Sequence, residues 1–265
     1  MSELLVASAS PDEQGTTVSV TPQSAGWRYV GFSVVRLLAG EPRSWLDAGH
    51  ELCMVVLSGR VAAEVGDLSV TSLGERESVF DGPPCALYAP AGARCTVTAL
   101  DGGAEVALCR APGRADSGVA PVAIDEVAVE VRGEGSARRT VHPILMDDRP
   151  ADSLLVVEVL TPAGNWSSFP PHRHELDDPP RETLLEETYY HRLRPPEGFA
   201  LQRVYTDARD LDETIAVGDR DVVLVPRGYH VVAAMPGYDL YYLNVMAGPR
   251  REWRFQDDPA HAWLR

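Results

Sequence analysis

His172 and His174 stand one residue apart behind two prolines in the stretch FPPHRHELDD, in a chain with seven histidines in all. On a β-strand, residues two apart project to the same face, so both imidazoles would point toward one place. Imidazole nitrogen beside carboxylate oxygen is a ligand set for zinc, iron, manganese, cobalt or nickel. Two further donors follow: Glu187 early in LLEETYYHRL, and His230 just behind Pro226-x-Gly228 in VPRGYHVV. Three nitrogens and one oxygen make a shell with room for water or substrate. Taken singly, each has a bland reading. A His-x-His pair is common surface decoration, a histidine after a turn more often packs, and Glu187 beside Glu186 suits a solvated edge. Their order on predicted strands joins them into one site. His50, His142 and His261 have no such company and read as structural.

Those strands are legible as short valine-, leucine- and tyrosine-rich runs, such as ELCMVVLSG, SLLVVEVL, DVVLVPRG and DLYYLNVMAG, punctuated by 22 glycines and 21 prolines. Such spacing predicts an all-β sandwich or barrel. Helical periodicity is missing apart from a short helix expected near DPAHAWL. Residues 132–140, RGEGSARRT, read as a linker between an N-terminal half, 1–131, and a C-terminal half, 141–265. The halves share a pattern, because SVFDGPPCALYAPAGARCTV mirrors VGDRDVVLVPRGYHVV, each a strand closed by a Pro-x-Gly turn into another strand. Two similar barrels are expected. In the first, Arg94 takes the place of His230 and no His-x-His precedes Glu51, so a metal is expected only in the second.

Composition removes several classes of function. The net charge of -15 argues against nucleic acid and anionic membranes as partners. All 24 basic residues are arginine, which excludes a lysine Schiff base or lysine nucleophile. The N-terminus shows no export signal, so a cytoplasmic protein is expected. Cys53, Cys85, Cys95 and Cys109 match no zinc motif and read as reduced thiols.

The pattern of His172-x-His174, Glu187 and His230 behind Pro226-x-Gly228 resembles the two motifs of the cupin superfamily. It departs in the long gap between His174 and Glu187, filled by ELDDPPRETLLE. That insertion, with VRGEGSARRTVHPIL and the dense stretch from residue 164 to the end, resembles the 5-deoxy-glucuronate isomerase family of inositol catabolism, related to the 5-keto-4-deoxyuronate isomerases. The resemblance implies a bicupin of two double-stranded β-helix barrels with one divalent metal in the C-terminal barrel. It implies an aldose–ketose isomerase converting 5-deoxy-D-glucuronate to 5-dehydro-2-deoxy-D-gluconate, with His172, His174, Glu187 and His230 as ligands. For such a reaction Glu187, Tyr189 and His191 are the candidate bases. Arg203 and Arg173, with Arg227 behind them, are candidates for the carboxylate of a uronic-acid-type sugar; Tyr205, Tyr229 and Tyr242 are candidates for its hydroxyls. A metal-dependent cupin oxygenase and a non-catalytic sugar-binding cupin are the alternatives, and the oligomeric state stays open.

Overall fold

The computed structural model describes residues 2–264 and is all-β. The helices among these residues are single turns, Pro22–Ala25, Gly135–Ala137 and Ala262–Leu264. The last is the expected helix of DPAHAWL, shortened to one 3-10 turn. No helix among the described residues is long and apolar enough to cross a membrane. All four cysteines are free thiols, three of them buried.

Two compact units account for the chain, and neither is one continuous stretch. The first comprises Ala9–Val129 and His142–Val157; the second takes the N-terminal residues up to Ser8, Glu130–Val141 and everything from Glu158 onward. The stretch 132–140 carries structure of its own, because Glu130–Arg132 pairs with the start of the strand Arg139–Leu145.

In the first unit the long strands His50–Val65 and Cys95–Pro112 run antiparallel along their whole length, from His50 opposite Pro112 to Val65 opposite Cys95. Alternation sends Leu52, Met54 and Val56 to one face, where they join Val61, Ala63, Val65, Cys95, Val97, Val106 and Leu108 in an apolar core. Glu51 is one residue out of step with that face. Its buried carboxylate accepts the Tyr88 hydroxyl at 2.6 Å and the backbone N–H groups of Asp152, Ser153 and Leu154 at 2.8, 2.6 and 2.6 Å. A carboxylate with four donors is satisfied without a metal.

In the second unit, Val222–Val225, Glu186–Arg194 and Asp239–Ala247 lie side by side in one sheet. A second sheet runs Asp212–Val217, Ala200–Tyr205, Tyr229–Ala234, Trp166–Arg173, Gln256–Asp257. The internal repeat is visible in register. Leu52 pairs with Ala89 directly before the Pro90-x-Gly92 turn, as Glu187 pairs with Val225 directly before Pro226-x-Gly228. The face that carries Leu52, Met54 and Val56 in one unit therefore carries Glu187, Tyr189 and His191 in the other. The repeat also corrects one expectation: Arg94 is exposed, and the residue facing the core opposite Val65 is Cys95.

Candidate metal centre

Glu187 enters the interior from Glu186–Arg194, and His230 enters from Tyr229–Ala234 in the opposing sheet. His172 pairs with His230 across the antiparallel ladder, so the two side chains share the interior face. His174 lies just past the end of that strand, held by Leu185, whose N–H donates to the His174 carbonyl at 3.0 Å. All four residues are buried.

The ligand atoms of His174, Glu187 and His230 lie within 4.8 Å of one another. His174 Nε2 is 3.0 Å and His230 Nε2 3.2 Å from the same oxygen, Glu187 Oε2. His172 stands beside this trio, its ring 4.6 Å from that of His230 and 6.3 Å from that of His174, outside the 4.8 Å set. Three of the four expected ligands thus converge, and the fourth is one ring contact away.

The Nδ1 atoms explain the orientation. Those of His174, His230 and His172 approach the backbone carbonyls of Leu185, Gly228 and Pro170 at 2.9, 3.3 and 3.4 Å. A carbonyl only accepts, so these contacts put a proton on Nδ1 and, in a neutral ring, leave Nε2 as a lone pair. For His230 that lone pair then faces a carboxylate oxygen, acceptor against acceptor, whereas His174 Nε2 shares a 3.0 Å hydrogen bond with the same oxygen when its ring is protonated. Buried His230 Nε2 indeed lacks a partner of hydrogen-bond geometry. A shared cation relieves this arrangement, and outward anchoring of the far ring nitrogen is how metal-binding histidines are commonly oriented. The donor set fits a divalent metal ion.

Without a cation, Glu187 and His174 hold each other in their charged forms. Burial alone would raise the Glu187 carboxyl, but His174 and His230 outweigh it and bring it down to about 2. Burial opposes charge on His174 too, yet Glu187 raises it above the ordinary histidine value. Burial, reinforced by His230 and His174, pushes His172 well below that value.

Next along the same face, Tyr189 packs edge-on to His230 at 5.7 Å and its hydroxyl shares a 2.9 Å hydrogen bond with Ser168 Oγ. Tyr242 joins through Ser167 Oγ at 2.5 Å and Ser168 Oγ at 3.4 Å. Ser167 and Ser168 carried no signal in the sequence. They reach the interior where the ladder loses register between Ser167 and His172, with Ser168 at φ 51°. His191 lies four residues from Glu187, about 13 Å along the strand, and does not join the cluster.

The remaining expected residues lie elsewhere. Val204 pairs with His230, so alternation turns Arg203 and Tyr205 to the other face of the sheet. There Arg203 is held by Asp212 at 2.9 and 3.0 Å and stacks over Tyr205. The Tyr205 hydroxyl donates to Asp258 at 2.6 Å. Arg173 also turns outward, pairs with Glu182 and Asp207, and lies over Tyr229. Arg227 pairs with Asp210. Of the expected substrate contacts, only Tyr242 shares the interior with the cluster.

Fold and site together define a two-barrel cupin-type protein with a buried His/Glu centre in one barrel. The match to the KduI/IolB family spans residues 4–264, and the chain belongs to that family. It is 50% identical over 265 residues to the 5-deoxy-glucuronate isomerase of Geobacillus kaustophilus (strain HTA426), covering 100% of this chain and 96% of the relative. Identity to that of Bacillus subtilis (strain 168) is 45% over 247 residues, 92% of this chain and 91% of the relative. Among solved structures, an IolB-like protein from Salmonella typhimurium LT2 superimposes with TM-score 0.94 at 48% identity, covering 98% of each chain. Lactobacillus farciminis oxalate decarboxylase, at 13% identity and TM-score 0.67 over 97% of this chain and 89% of its own, shares the fold.

Proposed function

We propose that this chain is an aldose–ketose isomerase that converts 5-deoxy-D-glucuronate to 5-dehydro-2-deoxy-D-gluconate in myo-inositol catabolism. The observation that carries this reading is the convergence of His174, Glu187 and His230 inside a chain half-identical to relatives named for that reaction. His172 is the proposed fourth ligand, and zinc, manganese, iron, cobalt or nickel would suit the set. Bound there, a divalent ion would act as a Lewis acid on the carbonyl and its neighbouring hydroxyl.

The chain's own groups supply the rest. The reaction moves one hydrogen from C2 to C1 while the carbonyl passes from C1 to C2, so a group beside the reacting carbons must handle protons. Tyr189 is the best placed, because it contacts His230 and shares a hydrogen bond with Ser168. Burial, with the Glu187 charge nearby, pushes its hydroxyl well above the ordinary range, so it serves as a proton donor or relay. Glu187 remains a second candidate base. Glu187 and Tyr189 are buried, a setting that would keep bulk water from the reacting carbons.

Metal-loaded protein incubated with 5-deoxy-glucuronate in deuterated water, followed by proton NMR, tests the proposal. Product should form without oxygen, and deuterium at C1 would report exchange through an enediol. No product from protein with its metal verified would refute the assignment.

A further inference from the structure

His191 and Gln202 are wholly buried, at 0% exposure each, and both face the barrel interior. His191 shares the face of Glu187 and Tyr189, while Gln202 pairs with Val232 and lies one alternation below Val204, the partner of His230. Neither ring nitrogen of His191 and neither amide atom of Gln202 has a hydrogen-bond partner. Backbone groups of Asp221 and Tyr189 and the Gln202 side chain lie beside the imidazole, close enough to influence it but without hydrogen-bond geometry. Buried polar atoms are nearly always paired, and four orphans on two adjacent side chains need a reason. The isolated hydroxyls of Thr161 and Thr188 are also unpaired, but each is a single atom on a rotor. The first barrel shows that the fold does not require polarity here, since its corresponding interior positions hold Val56 and Ala63.

We propose that His191 and Gln202 form a hydroxyl-binding subsite on the floor of the second barrel, which takes the hydroxyl groups of an open-chain, polyhydroxylated sugar acid. The identity of that ligand rests on the isomerase reading; the subsite itself rests on the orphaned pair. Between them the two side chains offer donors and acceptors together, which matches hydroxyls, each a donor and an acceptor at once. Burial holds the imidazole down to about 4, so it is neutral near pH 7 and keeps one donor and one acceptor nitrogen. A neutral pair is poorly suited to a carboxylate. Distance also fits. From His230 the Tyr189 ring is 5.7 Å away, and from Tyr189 the His191 ring is a further 6.0 Å. An open six-carbon chain with a polar contact of about 3 Å at each end spans roughly 12 Å, the length of those two ring separations laid end to end.

The test compares metal-loaded wild type, Gln202→Leu and His191→Leu, near-isosteric changes that remove only the polar atoms. The subsite predicts that each variant keeps its metal, melts no lower than wild type and loses about tenfold in kcat/KM for 5-deoxy-glucuronate. Calorimetric titration with gluconate should show a similar loss of affinity. Variants with wild-type kcat/KM and wild-type gluconate affinity would show that the pair merely fills the core, overturning the subsite while leaving the isomerase reading intact. If the wild type binds gluconate more tightly than both variants yet turns over no 5-deoxy-glucuronate, the subsite stands and the isomerase reading falls.

Discussion

At the scale of single residues, the site is explained by which nitrogen each histidine uses. Three Nδ1 atoms are committed to backbone carbonyls, so three Nε2 atoms are freed, and two of them already surround one Glu187 oxygen. Residue types in sequence could nominate these donors but not their tautomers, which depend on carbonyls that only folding brings near. His191 shows the same limit. Its type suggested a catalytic base, whereas its depth places it beyond the cluster and gives it a measurable signature instead. Buried and neutral, it titrates at about 4 in the folded chain, against about 6.5 when unfolded. Between those values the unfolded state binds a proton that the native state refuses, so acidification favours unfolding. As pH falls from 6.5 to 4, His191 should withdraw about 3 kcal/mol of stability. Urea unfolding across that range, wild type against His191→Leu, reads the difference. A variant whose pH slope matches the wild type would refute the buried neutral histidine.

At the scale of elements, strand alternation decides who belongs to the site. The pairing of His172 with His230 turns His172 to the interior, and His174, just past the end of that strand, reaches Glu187 and His230. The same rule removes Arg203, which stands next to the interior Val204 and is turned outward to Asp212. Charge and motif were legible in the sequence; the parity of a strand relative to its barrel was not, because a one-residue shift reverses it. The Pro226-x-Gly228 turn is the element that sets His230. Gly228 has φ +88°, and a Cβ there would meet the Tyr205 carbonyl oxygen at 2.5 Å. Gly228→Ala must therefore shift the turn and its histidine together. We expect a loss of about 1–3 kcal/mol in stability and at least tenfold weaker metal binding, read by chemical unfolding and competition with a chelator. Wild-type metal affinity in that variant would mean that the turn does not position His230.

At the scale of the whole chain, one architecture has been used twice with opposite interiors. Leu52, Met54 and Val56 line one barrel where Glu187, Tyr189 and His191 line the other, and Cys95 faces inward opposite Val65 as His230 does opposite Val204. The first interior gains stability from apolar burial, roughly 1.5–3 kcal/mol for each large side chain removed from water. The second gives up part of that gain for groups able to do chemistry. Glu51, a buried acid of the first unit that is out of step with its apolar face, has its oxygens occupied by Tyr88 and three backbone N–H groups, so no lone pair is left to recruit an ion. Among the described residues, His174, Glu187 and His230 are the one cluster of at least three donors close enough for a metal. Metal-replete protein should therefore carry one equivalent per chain by elemental analysis, and His230→Ala should lower this toward zero while Glu51→Gln leaves it at one. Two equivalents in the wild type, or metal retained in full by His230→Ala, would contradict a single centre built on the polar interior.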